Sequence, residues 1–154
     1  MDSKIHVLFV CTGNICRSPM AEAVFQQLVR DQGLEQRFII ESAGTSAYHI
    51  GERPHIGTQN VLRKNKVRLA DSKRAIRVDQ RLLDSSDYVI AMDTGHEVSL
   101  KGRTNAYRLL EFASNTGEKN VPDPYYDDKF DEVFDLVKAG CVGLLDFIRE
   151  RENL

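Results

Sequence analysis

Cys11 and Arg17 enclose Thr12-Gly13-Asn14-Ile15-Cys16, and Ser18-Pro19 follow directly. A thiol and a guanidinium at this separation, with a short flexible run between them, suit the holding of an oxyanion beside a nucleophile. Phosphate needs several N–H donors converging on its oxygens and a planar cation, and the run from Thr12 to Arg17 supplies both. Gly13 and Asn14 tolerate the left-handed backbone that such a nest requires. Cys11 is useful only as a thiolate, which a helix N-terminus, converging N–H groups and Arg17 all favour. Ser18 offers a hydroxyl hydrogen to the sulfur, of most help when the thiolate leaves again. The expected site is a nucleophile, Cys11, in a phosphate-binding loop of Thr12, Gly13, Asn14, Ile15, Cys16 and Ser18, closed by Arg17.

A second stretch, Val121-Pro122-Asp123-Pro124-Tyr125-Tyr126-Asp127-Asp128, also looks chemical. Expelling a phenolic leaving group, whose pKa is about 10, is helped by an acid. Asp123 is the candidate, because Pro124 biases it towards an extended backbone and Pro122 stiffens the segment before it. Asp127 and Asp128 lack this constraint and are expected to start the last helix. Tyr125 and Tyr126 suit stacking on a flat ring, and Tyr48 suits the same from the opposite rim; each is otherwise an ordinary loop aromatic. Cys141 shares an apolar helix face and reads as core. Cys16 has two readings, a support for the loop or a thiol that traps oxidised Cys11 as a disulfide. His6, His49, His55 and His96 make no metal-ligand spacing with each other or with the cysteines. The basic run from Arg63 to Arg77 lacks aromatic interleaving and reads as a solvated face rather than a nucleic-acid site.

The elements around these residues must bring positions 11 and 123 together. Ile5 to Val10 is a short β-branched run that suits a buried strand, and Pro19 sits in the first turn of a helix carrying Met20, Val24 and Leu28 on one face, stopped at Gly33. Arg37 to Ser42 reads as a second strand running into the loop Ala43 to Gly51. A second helix is expected from about Ile56 to Asn65, with Ile56, Val61 and Leu62 inward. Val67 to Asp79 is hard to assign. Gln80 to Ser85 reads as a helical turn, Asp87 to Met92 as a strand, the stretch through Glu97 to Leu100 as a short helix, and Ala106 to Leu110 as a fourth strand. Polar turn formers fill Ser114 to Asn120. The clearest helix carries Val133, Phe134, Val137, Cys141, Leu144, Leu145 and Ile148 on one face, with Asp131-Glu132 in its first turn. Strands alternating with helices imply an α/β fold, a four-stranded parallel sheet with helices on both faces. Parallel strands joined by right-handed crossovers share one carboxyl edge, so both chemical stretches belong at that edge.

With 154 residues the chain suits one domain, and its net charge of −2 gives no overall pull towards nucleic acid or an anionic membrane. No basic-then-apolar leader and no run of membrane-spanning length occurs. An odd cysteine count argues against a disulfide framework. A cytoplasmic location is expected, although export without a leader would leave the same pattern.

The C-x5-R run Cys11 to Arg17, continued by Ser18-Pro19, and the acid stretch Asp123-Pro124-Tyr125-Tyr126 resemble the low-molecular-weight protein tyrosine phosphatases. The resemblance covers essentially the whole chain, making residues 1–154 one such domain, and Pro54-His55-Ile56-Gly57-Thr58-Gln59 looks like the bacterial branch. It implies hydrolysis of phosphotyrosine in proteins, with Cys11 forming a phosphocysteine, Arg17 binding phosphate bidentately, and Asp123 acting as general acid and then general base. It also implies that Asn14, Ser18 and Ser42 tie the loop together, that no metal or cofactor is needed, and that inorganic phosphate is the product. Neither nucleic acid nor membrane is an expected partner, and the chain is expected to be a monomer or weakly self-associating. Two departures stand out. Tyr48 occupies a rim position where many members carry Trp, and Ser72 to Val78 has Lys73 and Ala75-Ile76 in the approximate place of a His and Ala-Arg, so the network behind Asn14 is expected to end differently.

Three other functions fit parts of the pattern. An arsenate reductase would need further redox cysteines in mid-chain, and none lies between Cys16 and Cys141. A protein arginine phosphatase typically has Thr where this chain has Ile15, whose apolar bulk suits an aromatic ring better. A non-catalytic phosphate-binding module should have lost the nucleophile or the acid, and both are present.

Overall fold

Four strands form a parallel sheet in the order β2-β1-β3-β4: β1 Ile5–Cys11, β2 Phe38–Gly44, β3 Tyr88–Ala91 and β4 Ala106–Arg108. The computed structural model describes residues 3–100, 102–114 and 116–154. Among the described residues, five α-helices connect and cover the strands: α1 Arg17–Asp31, α2 Ile56–Lys64, α3 Gln80–Ser85, α4 Thr94–Ser99 and α5 Phe130–Glu152.

β1 is central, so both of its faces are buried, which is why it is apolar almost throughout rather than alternating. Val7, Phe9 and Cys11 point into a large core shared with α1 and α5, including Met20, Phe25, Val137 and Ile148. Leu8 and Val10 point the other way, packing with Val89, Ala91 and Leu100 beneath Leu82 and Leu83 of α3. This period-two division places helices on both faces of the sheet. At its C-terminus α1 turns through Gly33 at φ 69°, and the Leu34 N–H reaches back to the Val29 carbonyl at 2.9 Å. α5 lies so close to the 3-10 turn Leu109–Phe112 that a methyl group at Gly143 would overlap the Phe112 carbonyl.

The sequence expectations are corrected in four places. Ile56 is 59% exposed rather than inward, because Thr58, Val61 and Leu62 form the buried stripe of α2 and Ile56 lies on the opposite side of the helix. Asp127 and Asp128 precede α5 instead of starting it; Asp127 accepts the Lys129 N–H at 3.1 Å and Asp128 turns the chain at φ 60°. The fourth strand ends at Arg108, whose N–H is capped by the Glu111 carboxylate at 3.0 Å, and Leu109 and Leu110 enter the 3-10 turn, where both are buried. The short helix after β3 begins earlier, at Thr94. Val67 to Asp79 is irregular except for a single bridge from Arg77 to Gly44. Of the polar stretch Ser114 to Asn120, Asn115 lies outside the described residues.

The carboxyl ends of the strands converge. The Thr45 N–H bonds the Cys11 carbonyl and the Ser46 N–H bonds that of Thr12, each at 2.9 Å, which seats the loop after β2 beside the loop after β1. From the other side the Val121 N–H bonds the Met92 carbonyl at 2.9 Å, which brings the acid stretch to the end of β3.

Candidate active site

The loop between β1 and α1 is shaped by Asn14. Its backbone is left-handed at φ 56°, a conformation that Asn adopts more readily than most L-residues, and its side chain is firmly tied. The side-chain amide donates to Ser18 Oγ at 2.8 Å and to Ser42 Oγ at 2.9 Å, while its carbonyl accepts the Ile76 N–H at 3.0 Å. Gly13 serves a different purpose from the one its sequence position suggests. It makes room for His49, whose ring would stand 2.9 Å from a Cβ there.

Cys11 Sγ lies 2.9 Å from Ser18 Oγ and accepts the Asn14 N–H at 3.3 Å. Six residues on, Arg17 begins α1 and is only 4% exposed. One of its terminal nitrogens donates to Asp93 Oδ2 at 2.8 Å and to the Val121 carbonyl at 2.9 Å. The other lies 3.5 Å from Asp123 Oδ2. Both hydrogens of the first nitrogen are thereby used, and Nε with the second terminal nitrogen forms the edge left to face a ligand. Asp123 is aimed by its own turn, Oδ1 accepting the Tyr125 N–H at 3.1 Å.

Cys11, Thr12, Gly13, Ile15, Cys16, Arg17, Tyr48, Asp123, Tyr125 and Tyr126 line one cavity of about 340 Å³, joined by Ser46 and His49. Asn14, Ser18 and Ser42 are fully buried beneath it. Tyr48 and Tyr126 stand exposed at the rim, and Tyr125 meets His49, His55 and Tyr126 at ring separations of 6.0, 5.9 and 5.3 Å. Cys16 is reduced, and burial, with smaller contributions from Asp123 and Cys11, pushes its thiol up to about 12.

Sequence reasoning missed four residues at or behind this cavity, Asp93, His96, His49 and Glu22. Asp93 directly follows the buried strand β3, a position at the carboxyl edge that could have been noticed. Burial alone would raise its carboxyl, but the His96 backbone N–H, Arg17 and the His96 ring together hold it below its usual value. His96 and His49 carried no signal beyond their residue type. Behind Asn14 the network continues from Ser42 Oγ, which donates to Glu22, to Lys73 Nζ, 3.4 Å from Glu22 and 3.0 Å from the Ser42 carbonyl. Burial raises the Glu22 carboxyl, opposed by Lys73 and Ser42. The expected difference in that network is thus a carboxylate–ammonium pair, and it ends on Lys73, the position at which the departure was expected.

The family model of the low molecular weight phosphotyrosine protein phosphatases matches residues 6–154. The chain belongs to that family. This phosphatase, a hydrolase of phosphoric monoesters, is similar to the low molecular weight protein-tyrosine-phosphatase YfkJ of Bacillus subtilis, with 44% identity over 97% of the chain and 99% of the relative. It is 40% identical to PtpA of Staphylococcus epidermidis, covering 97% of each chain. The crystal structure of YfkJ superposes on the phosphatase with a TM-score of 0.93 at 43% identity, over 97% of this chain and 98% of that one. A Drosophila arginine phosphatase structure matches with a TM-score of 0.84 at 24% identity, over 93% of this chain and 97% of that one, a likeness of fold alone. No described helix of the phosphatase is long and apolar enough to cross a membrane.

Proposed function

We propose that the phosphatase hydrolyses phosphotyrosine in proteins through a cysteinyl-phosphate on Cys11. The observation that carries this reading is the meeting of Cys11, Arg17 and Asp123 in one cavity walled by Ile15 and tyrosines. The phosphoryl oxygens bind the loop N–H groups and the free edge of Arg17. The Cys11 thiolate attacks phosphorus in line, forming the S–P bond as the P–O bond to the ring breaks, and protonated Asp123 delivers its proton to the departing phenolate oxygen. In the second step the Asp123 carboxylate takes a proton from water, whose oxygen attacks phosphorus. The S–P bond breaks, phosphate leaves, and the Ser18 hydroxyl, 2.9 Å from Sγ, stabilises the returning thiolate.

Ile15, 6% exposed and lining the cavity, favours an aryl ring over a guanidinium. On this reading no metal or cofactor takes part, since Arg17 and the loop supply the charge complement. The substrates are phosphotyrosine proteins, the product is inorganic phosphate, residues 1–154 act as one domain, and the enzyme works in the cytoplasm as a monomer or weakly self-associating species. The test is turnover on phosphotyrosine, phosphoserine and phosphoarginine peptides and on arsenate, with Cys11→Ser as control. Preference for phosphotyrosine, abolished in Cys11→Ser, supports the reading; equal or greater turnover of phosphoarginine or arsenate overturns it.

A further inference from the structure

One buried residue that the proposed mechanism does not use joins both halves of the anion site. His96, on α4, is 6% exposed. Its Nε2 lies 2.8 Å from Thr12 Oγ1, and its Nδ1 lies 3.1 Å from Asp93 Oδ1. The His96 backbone N–H donates to that same oxygen at 2.9 Å, while Asp93 Oδ2 receives Arg17 at 2.8 Å. A continuous run, Thr12 to His96 to Asp93 to Arg17, therefore connects the residue next to the Cys11 nucleophile with the guanidinium that closes the loop.

The protonation of each ring nitrogen follows from what faces it. At 3.1 Å a bare Nδ1 lone pair would meet the lone pairs of an ionised carboxylate, so the Nδ1 facing Asp93 carries a proton and the contact is electrostatic rather than an aligned hydrogen bond. Burial lowers His96 most, Arg17 from α1 lowers it further, and Asp93 and Asp123 oppose them; the net direction is down, towards the neutral ring. A neutral ring protonated at Nδ1 has a bare Nε2, which accepts the Thr12 hydroxyl hydrogen. Thr12 is thus held by an acceptor whose own orientation is set by the carboxylate that aims Arg17.

We propose that His96 is a positioning residue for phosphoryl transfer, fixing Thr12 of the phosphate loop in register with the Asp93–Arg17 pair. The inference rests on the proposed function, since it assigns His96 a part in that reaction. It predicts coupling between groups on different elements: losing the Thr12 hydroxyl and losing the His96 ring break the same link, so their effects on the reaction do not add.

The experiment combines NMR of the His96 ring nitrogens in the wild-type protein with kcat/KM for an aryl phosphate in Thr12→Val, Thr12→Ser, His96→Ala, His96→Gln and the double variant Thr12→Val/His96→Ala. At neutral pH the ring is expected as the neutral Nδ1–H form, with its Nε2 signal moving in Thr12→Val. Thr12→Val and His96→Ala should each lower kcat/KM about tenfold, the worth of one buried hydrogen bond, and the double variant no further. Thr12→Ser keeps the hydroxyl and His96→Gln keeps an acceptor for it, so both should recover most of the loss. An Nε2–H or doubly protonated ring at neutral pH, fully additive losses, or single variants as active as wild type would overturn the proposal. Should His96→Ala fail to fold, the ring spectrum and the Thr12 variants decide alone. Cys11→Ser, assayed alongside, separates the two claims: turnover surviving in it defeats the proposed chemistry, whereas its loss together with unaffected His96 variants defeats only the positioning role.

Discussion

Replacing Asp93 with Asn removes the charged partner of a nearly buried arginine. Arg17 is 4% exposed, and its contact with Asp93 at 2.8 Å is its shortest to a carboxylate. Breaking a fully buried ion pair by removing one partner costs about 3–5 kcal/mol. Here the Asp93 side chain is 26% exposed, Arg17 keeps the Val121 carbonyl at 2.9 Å, and Asn retains an oxygen acceptor, so the expected cost is lower, about 2 kcal/mol. A guanidinium loosened to that extent should lower kcat/KM on an aryl phosphate about thirtyfold. Urea unfolding adds a second readout with a defined sign. The Asp93 carboxyl lies below its usual value in the folded protein, so its stabilising contribution is present above the unfolded pKa of about 4 and is lost as the pH falls through the lowered folded value. The gap between wild type and Asp93→Asn should therefore be largest at neutral pH and shrink below about pH 4. An Asp93→Asn variant within about twofold of wild type in kcat/KM, with an unchanged urea midpoint at pH 7, would refute this account of how Arg17 is held.

Asp123→Asn should slow turnover of a phenolic substrate by about 10²–10⁴-fold and that of an ester with a strongly acidic leaving group far less; equal losses on both would remove Asp123 from the acid role. Lys73→Met leaves Glu22 buried beside Ser42 without its ammonium, which should drive Glu22 further towards its neutral form and lower stability by about 1–2 kcal/mol, read by urea unfolding at pH 7. An unchanged midpoint would show that the pair is incidental. Because burial pushes the Cys16 thiol up to about 12, brief iodoacetamide treatment at neutral pH followed by peptide mapping should leave Cys16 unlabelled while Cys11 reacts. Labelling of Cys16 as fast as Cys11 contradicts that protection.

Legibility in the sequence tracked how local each constraint was. The strands and α5 were readable because burial on one or two faces writes a periodic apolar pattern, and the meeting of Cys11, Arg17 and Asp123 in one cavity was foreseeable because their residue types beside Gly and Pro marked two loops at one sheet edge. Ile56 misled because a large apolar side chain at the start of a helix carries no mark of which way the helix will turn it, and the buried position went to Thr58. Asp93, His96 and Glu22 were missed because their contacts exist only across elements: Glu22 meets Lys73 from α1, and His96 meets Thr12 from α4. Asp123 itself lies more than a hundred residues from Cys11, and only the shared carboxyl edge of a parallel sheet made their meeting foreseeable.

The covalent intermediate is the most direct measurement of the central claim. Wild type and Cys11→Ser are mixed with an aryl phosphate, quenched in acid within the first turnovers, digested and analysed by mass spectrometry. The mechanism predicts a phosphoryl group on the Cys11 peptide of wild type and none on any peptide of Cys11→Ser, whose turnover is lost. A phosphorylated peptide elsewhere, or undiminished hydrolysis by Cys11→Ser, would contradict it.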